Sequence, residues 1–176
     1  MSALAVGLTA AILMEPIAAL LHRFVMHRQG WTWHRSHHGS RRGLFEANDL
    51  FPVLFAAITI VAMAIGATFE GWQPLLWAGA GVAAYGAAYV AVHDICIHGR
   101  FGRPLGGNAY LRRVRDAHEL HHRFGRGPYG FLVPVVPVEL RARMERRPAS
   151  CGRRNENATV DSLRTVDTLA RRSNTS

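Results

Sequence analysis

Residues 50–69 read LFPVLFAAITIVAMAIGATF and residues 71–92 read GWQPLLWAGAGVAAYGAAYVAV. The first run has 20 residues, the second 22, and neither holds an Asp, Glu, Lys or Arg. Each is long enough as a helix to cross about 30 Å of hydrocarbon. Glu70 to Pro74 link them as a tight turn, which predicts a helical hairpin. Working outward, Ser2 to about Leu21 is apolar apart from Glu15 and lacks a positively charged start and a small-residue cleavage site. It reads as a retained membrane helix, not a signal peptide. Gly127 to Val138 is apolar but carries Pro128, Pro134 and Pro137. At about a dozen residues it suits a re-entrant or interfacial segment better than a fourth crossing. The expected fold class is all-α, an integral membrane helical bundle of three to four spans.

The 176 residues fit one folded unit and leave no room for a separate reductase domain. Overall, 49% of residues are hydrophobic and 19% charged, a soluble-looking average that hides how strictly the charge is segregated. All basic residues are Arg, 21 against 12 acids, for a formal charge of +9. Arginines stand at 23, 28, 35, 41 and 42, none between Gly43 and Gly99, and 16 from Arg100 onward. The positive-inside rule then puts the 22–49 loop and the C-terminal third in the cytoplasm, with the protein integral to the cytoplasmic (inner) membrane. Two domains are expected: a membrane domain over 1–138, and over 139–176 an Arg-rich tail too poor in apolar residues to fold. Cys96 and Cys151 are too isolated to imply a disulfide framework. Asn108 is a good N-cap for a helix over Ala109–Phe124, too polar to span.

The ten histidines form two copies of one pattern, H-x4-H followed by H-x2-H-H. The first copy is His22 and His27, then His34, His37 and His38; the second is His93 and His98, then His118, His121 and His122. Imidazole is the commonest protein ligand for first-row transition metals, and ten rings suffice for two ions. On a helix of about 100° per residue, the three rings of H-x2-H-H lie within an arc of about 100°, on one face. Leu111 and Val114 continue the stripe of His118, His121 and His122, so this helix is expected to pack its histidine face on the bundle. The H-x4-H pairs behave differently, diverging by about 140° on an ideal α-helix. Either the helix ends between the two rings, or each serves a different ion. Both pairs stand where a span meets the cytoplasm, so His-bearing helices would cap a di-metal site at one membrane end.

Competing readings use less of the pattern. A single His is ordinarily a surface or hydrogen-bonded core residue, which does not explain ten in register. His118, Glu119 and His122 also spell H-E-x-x-H, a zinc-protease signature, but it employs two of ten histidines. A metal transporter would place ligands near the bilayer midplane, where the two uncharged runs hold no His. Nucleic-acid binding lacks a folded basic module. Among nearby carboxylates, Asp49, Asp94 and Glu119 are candidates to orient the rings and fix their tautomers; Glu46 and Asp116 are equally well read as surface charge. Glu15, an acid inside a span, lies about 10 Å along the helix from His22. A bond between them needs a sharp bend at Pro16; otherwise Glu15 bonds another span or stands near a substrate channel.

The chain resembles the membrane-bound non-haem di-iron family of fatty-acid hydroxylases, sterol oxidases and carotenoid hydroxylases, and within it the bacterial β-carotene hydroxylases. The likeness rests on Met14-Glu15, Ile17-Ala18-Ala19-Leu20, His22, Met26-His27, Gly30-Trp31, Trp33-His34, Ser36-His37-His38, Phe45-Glu46 and Asn48-Asp49-Leu50. It continues through Gly79-Ala80-Gly81, Ala84-Tyr85-Gly86, His93-Asp94, His98, Tyr110-Leu111, Ala117-His118, His121-His122 and Gly130-Phe131-Leu132, covering about Met14 to Pro134. The chain departs around Gly125–Tyr129, where it is short, and in the Arg-rich tail.

The resemblance implies two non-haem iron ions on the histidines, molecular oxygen as co-substrate, and hydroxylation of β-carotene or a related carotenoid at C3. Imidazole itself suits iron and zinc alike. C4 of the ionone ring is allylic and C3 is not, so reaction at C3 requires a pocket that holds C3 nearer the metals. A C4 ketolase is the nearest rival, and fatty-acid or sterol oxidases come next. A channel among the spans is expected to lead to the cluster, with Trp31, Trp33, Phe45, Phe51, Tyr85 and Tyr89 as candidate lining. With no flavin or nicotinamide fingerprint in the chain, the resemblance implies a ferredoxin-type electron donor.

Overall fold

The computed structural model describes residues 2–39, 43–102, 107–136 and 138. The chain divides into two units, Met1–Pro137 and Val138–Ser176; the first is described below. The tail at 139–176, expected to be disordered and carrying Cys151, lies outside the described residues.

Among the described residues every element is helical. Helix α1 (Ala3–Leu21) starts on Ser2, whose hydroxyl accepts from the Ala5 amide, and runs unbroken into π-helical turns over His22–Gln29. Gly30 ends these, one turn of helix α2 (Trp31–His34) follows, and a 3₁₀ turn at Ala47–Asp49 leads into α3 (Leu50–Thr68). Helix α4 (Gln73–Tyr89) has Pro74 in its first turn, where the ring fixes φ and no amide bond is lost. It continues into a second π-helical stretch, Val90–Ile97. Helix α5 occupies Ala109–Phe124, the range expected from its N-cap: Asn108 Oδ1 accepts from the Leu111 amide at 3.0 Å, and Gly125, at φ 60°, closes the helix in the left-handed conformation.

Among the described residues three helices are long and apolar enough to cross a membrane: Ala3–Gln29, Ala47–Thr68 and Gln73–Ile97. Residues 127–136 form no helix, so of the three to four spans expected, three stand among the described residues. The expected hairpin joins α3 to α4, with Gly71 at φ 82° in the link. Helix α4 is central and packs on both α1 and α3. Glycine makes this possible: a methyl at Gly81 would strike the Gly7 carbonyl of α1, and one at Gly66 would strike the Leu76 backbone. With lipid on the outside, helices associate through such close backbone approach rather than through expulsion of water.

The outer faces of the spans expose Leu4, Ile12, Val53 and Ile60, as a lipid-facing surface requires. The most deeply buried large side chains are His22, His34, His93 and His121. Of the stripe expected on α5, Val114 is buried and Leu111 half-buried, and Ala117 and Leu120 are buried beside them.

Candidate metal centre

The π-helical turns account for the H-x4-H spacing. In a π-helix the backbone bonds i to i+5, so residues five apart fall on one face. His98 N donates to His93 O at 3.0 Å in this pattern, and Gly30 N to Val25 O at 2.8 Å. The His22 and His27 rings lie 5.0 Å apart, and those of His93 and His98 4.7 Å. Neither alternative drawn from an α-helix holds: the helix does not end between the rings, and the two rings of each pair aim at one place.

All ten rings gather at one end of the bundle. His22, His27, His34, His38 and His121 form one set and His37, His93, His98 and His118 a second; within each, the ligand atoms lie within 4.8 Å of one another. His122 stands between them, 4.5 Å from the His38 ring and 4.4 Å from that of His118. The sets do not follow the sequence copies, because His37 joins the second set and His121 the first.

The outer nitrogens of several rings are anchored. His22 Nδ1 donates to the Tyr129 carbonyl at 2.9 Å, His34 Nδ1 to Asn48 Oδ1 at 2.8 Å, and His93 Nδ1 to Asp94 Oδ1 at 2.8 Å. His121 Nδ1 faces the Arg126 carbonyl at 3.3 Å, and His37 Nδ1 lies 3.6 Å from Glu46 Oε2. Carbonyls and carboxylates only accept, so the proton is held on Nδ1 and Nε2 presents its lone pair inward. The bare Nε2 atoms of His22 and His34 then confront each other at 3.0 Å, an arrangement that a cation between them satisfies. In the second set, Nε2 of His37 and of His93 is buried without a hydrogen-bond partner, as is Nε2 of His122. These donor sets fit metal ions. Protonation is also disfavoured: burial, followed by repulsion among neighbouring rings, pushes His122 to about 3 and His121 to about 2, and His37 and His118 well below the ordinary range. His34 falls to about 4, mainly through burial.

The three candidate orienting carboxylates have separate fates. Asp94 touches His93 directly. Asp49 takes both amino groups of the Arg100 guanidinium at 2.6 and 2.9 Å, and Arg100 Nε reaches Asp94 Oδ2 at 3.1 Å. Asp49 therefore braces His93 at third hand. Glu119 is exposed and borders a shallow cleft beside His98, His118 and His122. Glu46, read equally as surface charge, sits against His37 with its side chain 12% exposed.

Sequence reasoning did not identify Asn48, Arg100 or Phe131. Arg100 had a signal, being the arginine that ends the long Arg-free stretch. The carbonyls of Tyr129 and Arg126 had none, since every residue carries one.

An apolar crevice runs between the spans to His34 and Asn48, walled by Phe51, Phe55, Tyr85, Tyr89 and Phe131. Of the expected lining residues, Phe51, Tyr85 and Tyr89 are here. Trp31 instead lies over His27 and His38, Trp33 packs edge-on against Phe51, and Phe45 is 80% exposed.

The fatty acid hydroxylase family model matches residues 7–137. The chain is 43% identical over 141 residues to a beta-carotene hydroxylase of Pseudescherichia vulneris, covering 77% of this chain and 79% of that protein. It is 44% identical over 139 residues to a beta-carotene hydroxylase of Pantoea ananas, covering 76% and 78%. With chloroplastic beta-carotene 3-hydroxylase 1 of Arabidopsis thaliana it shares 43% over 142 residues, which is 78% of this chain and 45% of that one. No solved structure matches.

Proposed function

The chain belongs to the fatty acid hydroxylase family, and on that premise we propose that it is a membrane monooxygenase that hydroxylates the ionone rings of β-carotene at C3, by way of β-cryptoxanthin to zeaxanthin. The observation that carries the reading is the convergence of ten imidazoles, nine of them in two sets, beside an apolar crevice that reaches His34. Two iron ions would be held, one by His22, His27, His34, His38 and His121, the other by His37, His93, His98 and His118 with His122. When bound, they supply the reductive activation of molecular oxygen for insertion of one oxygen atom into a C–H bond.

The protein contributes tautomer, aim and enclosure. Anchored Nδ1 protons keep Nε2 of His22, His34, His37, His93 and His121 free to ligate, and burial keeps His34, His37, His118, His121 and His122 neutral at pH 7. Asp49, Arg100 and Asp94 act in series on His93. Phe51, Tyr85, Tyr89 and Phe131 provide an apolar wall on which an ionone ring can lie, and the choice of C3 over the weaker allylic C4–H bond is made by which carbon this wall brings nearest the histidines. The substrate enters from the bilayer. The arginines that flank the histidine clusters in sequence support a site on the cytoplasmic side of the cytoplasmic membrane and suit an acidic, ferredoxin-type electron donor.

Expression in a bacterial host that accumulates β-carotene, with pigment analysis by chromatography and mass and a His34→Ala control, tests the reading. Mono- and dihydroxylated products absent from the control are expected. Unchanged β-carotene from folded, iron-loaded protein supplied with a competent donor would overturn it.

A further inference from the structure

An ionisable side chain within a span is costly unless paired. Glu15 of α1 is paired more fully than expected. Its Oε1 accepts from the amides of Phe131, Leu132 and Val133 at 3.0, 3.0 and 2.8 Å; its Oε2 accepts from the Tyr85 hydroxyl of α4 at 2.6 Å and from the Leu132 amide at 3.2 Å. It bonds another span, as one sequence reading allowed, and not His22. Three successive amides turned toward one carboxylate make an anion-binding nest. They belong to a segment without helix, whose own backbone bonds do little to hold it. The fit leaves no room: a Cβ added at Gly130 would stand 2.7 Å from Glu15 Oε1.

The other side of the same segment meets the histidines. The Tyr129 carbonyl takes the His22 Nδ1 proton, the Phe131 ring stacks on His22 at 4.9 Å with 12° between planes, and it meets His93 edge-on at 5.3 Å. Tyr110 of α5 adds a bond from its hydroxyl to the Leu132 carbonyl at 2.8 Å. Phe131 thus touches one ring of each set and walls the crevice.

We propose that Glu15 is a positioning residue: with Tyr85 it latches residues 129–133 across the histidine cluster, and through them it fixes the tautomer and aim of His22 and closes the inner end of the crevice. The effect on His22 rests on the metal-centre reading; the latch itself does not.

Two measurements on the full-length protein in lipid nanodiscs test this, hydrogen–deuterium exchange at 129–133 and the visible ligand-field bands of the cobalt(II)-loaded protein. Hydrogen bonds to a charged group are strong, so Glu15→Gln is expected to speed exchange of the 131–133 amides about tenfold, while α3 keeps its wild-type rates. The cobalt bands should shift as His22 loses its fixed acceptor. Tyr85→Phe removes one donor and should give about threefold. Gly130→Ala should displace the carboxylate and reproduce both changes, which keeps the test decisive if Glu15→Gln does not fold. Wild-type exchange in all the variants that fold would overturn the latch. Faster exchange with unmoved cobalt bands would overturn the positioning role and leave a structural tie. Wild-type protein that takes up no cobalt counts against the metal centre, and the exchange rates still decide the latch.

Discussion

The two histidine-bearing copies carry the same five rings on different supports. In the first, His34 closes a single turn of helix and His37 and His38 stand in the turn after it. Those rings are steadied by polar contacts from neighbouring loops: Asn48 on His34, Glu46 beside His37, and Ser36, whose hydroxyl accepts from the Asn48 amide. In the second copy, His118, His121 and His122 ride on α5, a 16-residue helix capped at both ends and seated on Val114, Ala117 and Leu120. One copy is held by hydrogen bonds, the other by apolar packing. The H-x4-H pairs, by contrast, share both spacing and π-helical backbone. A spacing that an α-helix cannot serve dictates its backbone, whereas a spacing that several backbones can serve leaves the support free to vary.

The largest effect should come from the ring that each copy gives away. If each copy served its own ion, His37→Ala would weaken the first ion and His121→Ala the second. The exchange in the structure reverses this. His37→Ala is expected to empty the set of His93, His98 and His118, and His121→Ala the set of His22, His27 and His34, each with loss of activity beyond about 100-fold. Metal content with site-resolved cobalt spectra reads which set empties; loss confined to the ring's own copy would break the comparison.

The next largest effect separates the supports. Asp94→Ala and Asn48→Ala each remove the acceptor of a buried Nδ1 proton, and each should weaken metal affinity about 10- to 100-fold. Asp94 is a carboxylate held by Arg100 and, behind it, Asp49, so its loss also takes the carboxylate from Arg100 Nε and should lie at the upper end. Competition with a chelator checks the order. Equal losses would mean that the Asp49–Arg100–Asp94 chain adds nothing beyond one hydrogen bond.

Much of this was legible beforehand. Leu50–Thr68 and Gln73–Tyr89 follow from runs without charge, because the bilayer tolerates little else, and α5 follows from Asn108 and its apolar stripe. The π-helical turns were hidden by reading every helix at 100° per residue; the i, i+5 spacing was itself their signature. The exchange of His37 and His121 was not legible, since neighbouring rings on one arc are divided between two sets only by what packs against them. Nor was the role of residues 129–133, which act through backbone carbonyls and amides that any residue would supply.

Acid should loosen both copies. Burial holds His34 at about 4, His122 at about 3 and His121 at about 2, against about 6.5 for a free imidazole. Between those values the unfolded chain binds more protons than the folded one, so the metal-free protein loses stability as pH falls below about 6.5. His34 takes up its proton near 4, where its share of the loss stops growing, whereas the shares of His122 and His121 grow down to about 3 and about 2. Hydrogen exchange on the metal-free protein should therefore quicken at 31–38 and along α5 alike as pH falls below about 6.5, and below about 4 it should go on quickening along α5. Exchange along α5 that keeps its neutral-pH rate down to about pH 4 would show that burial does not hold its rings neutral.

The smallest effect bears on the same point. Asn108→Ala removes the N-cap of α5 and should cost about 1 kcal/mol, read as a lowered unfolding midpoint. The first copy has no equivalent to lose, because Gly30 begins α2 without a side-chain cap. Fraying at Asn108 is confined to the first turn, and His118 stands ten residues further on, beyond Val114 and Ala117, which keep their burial. Metal retention should then match wild type although stability falls. If metal is lost along with the cap, α5 transmits disorder along its length, and the rigidity assigned to the second copy belongs to its ions and not to its packing.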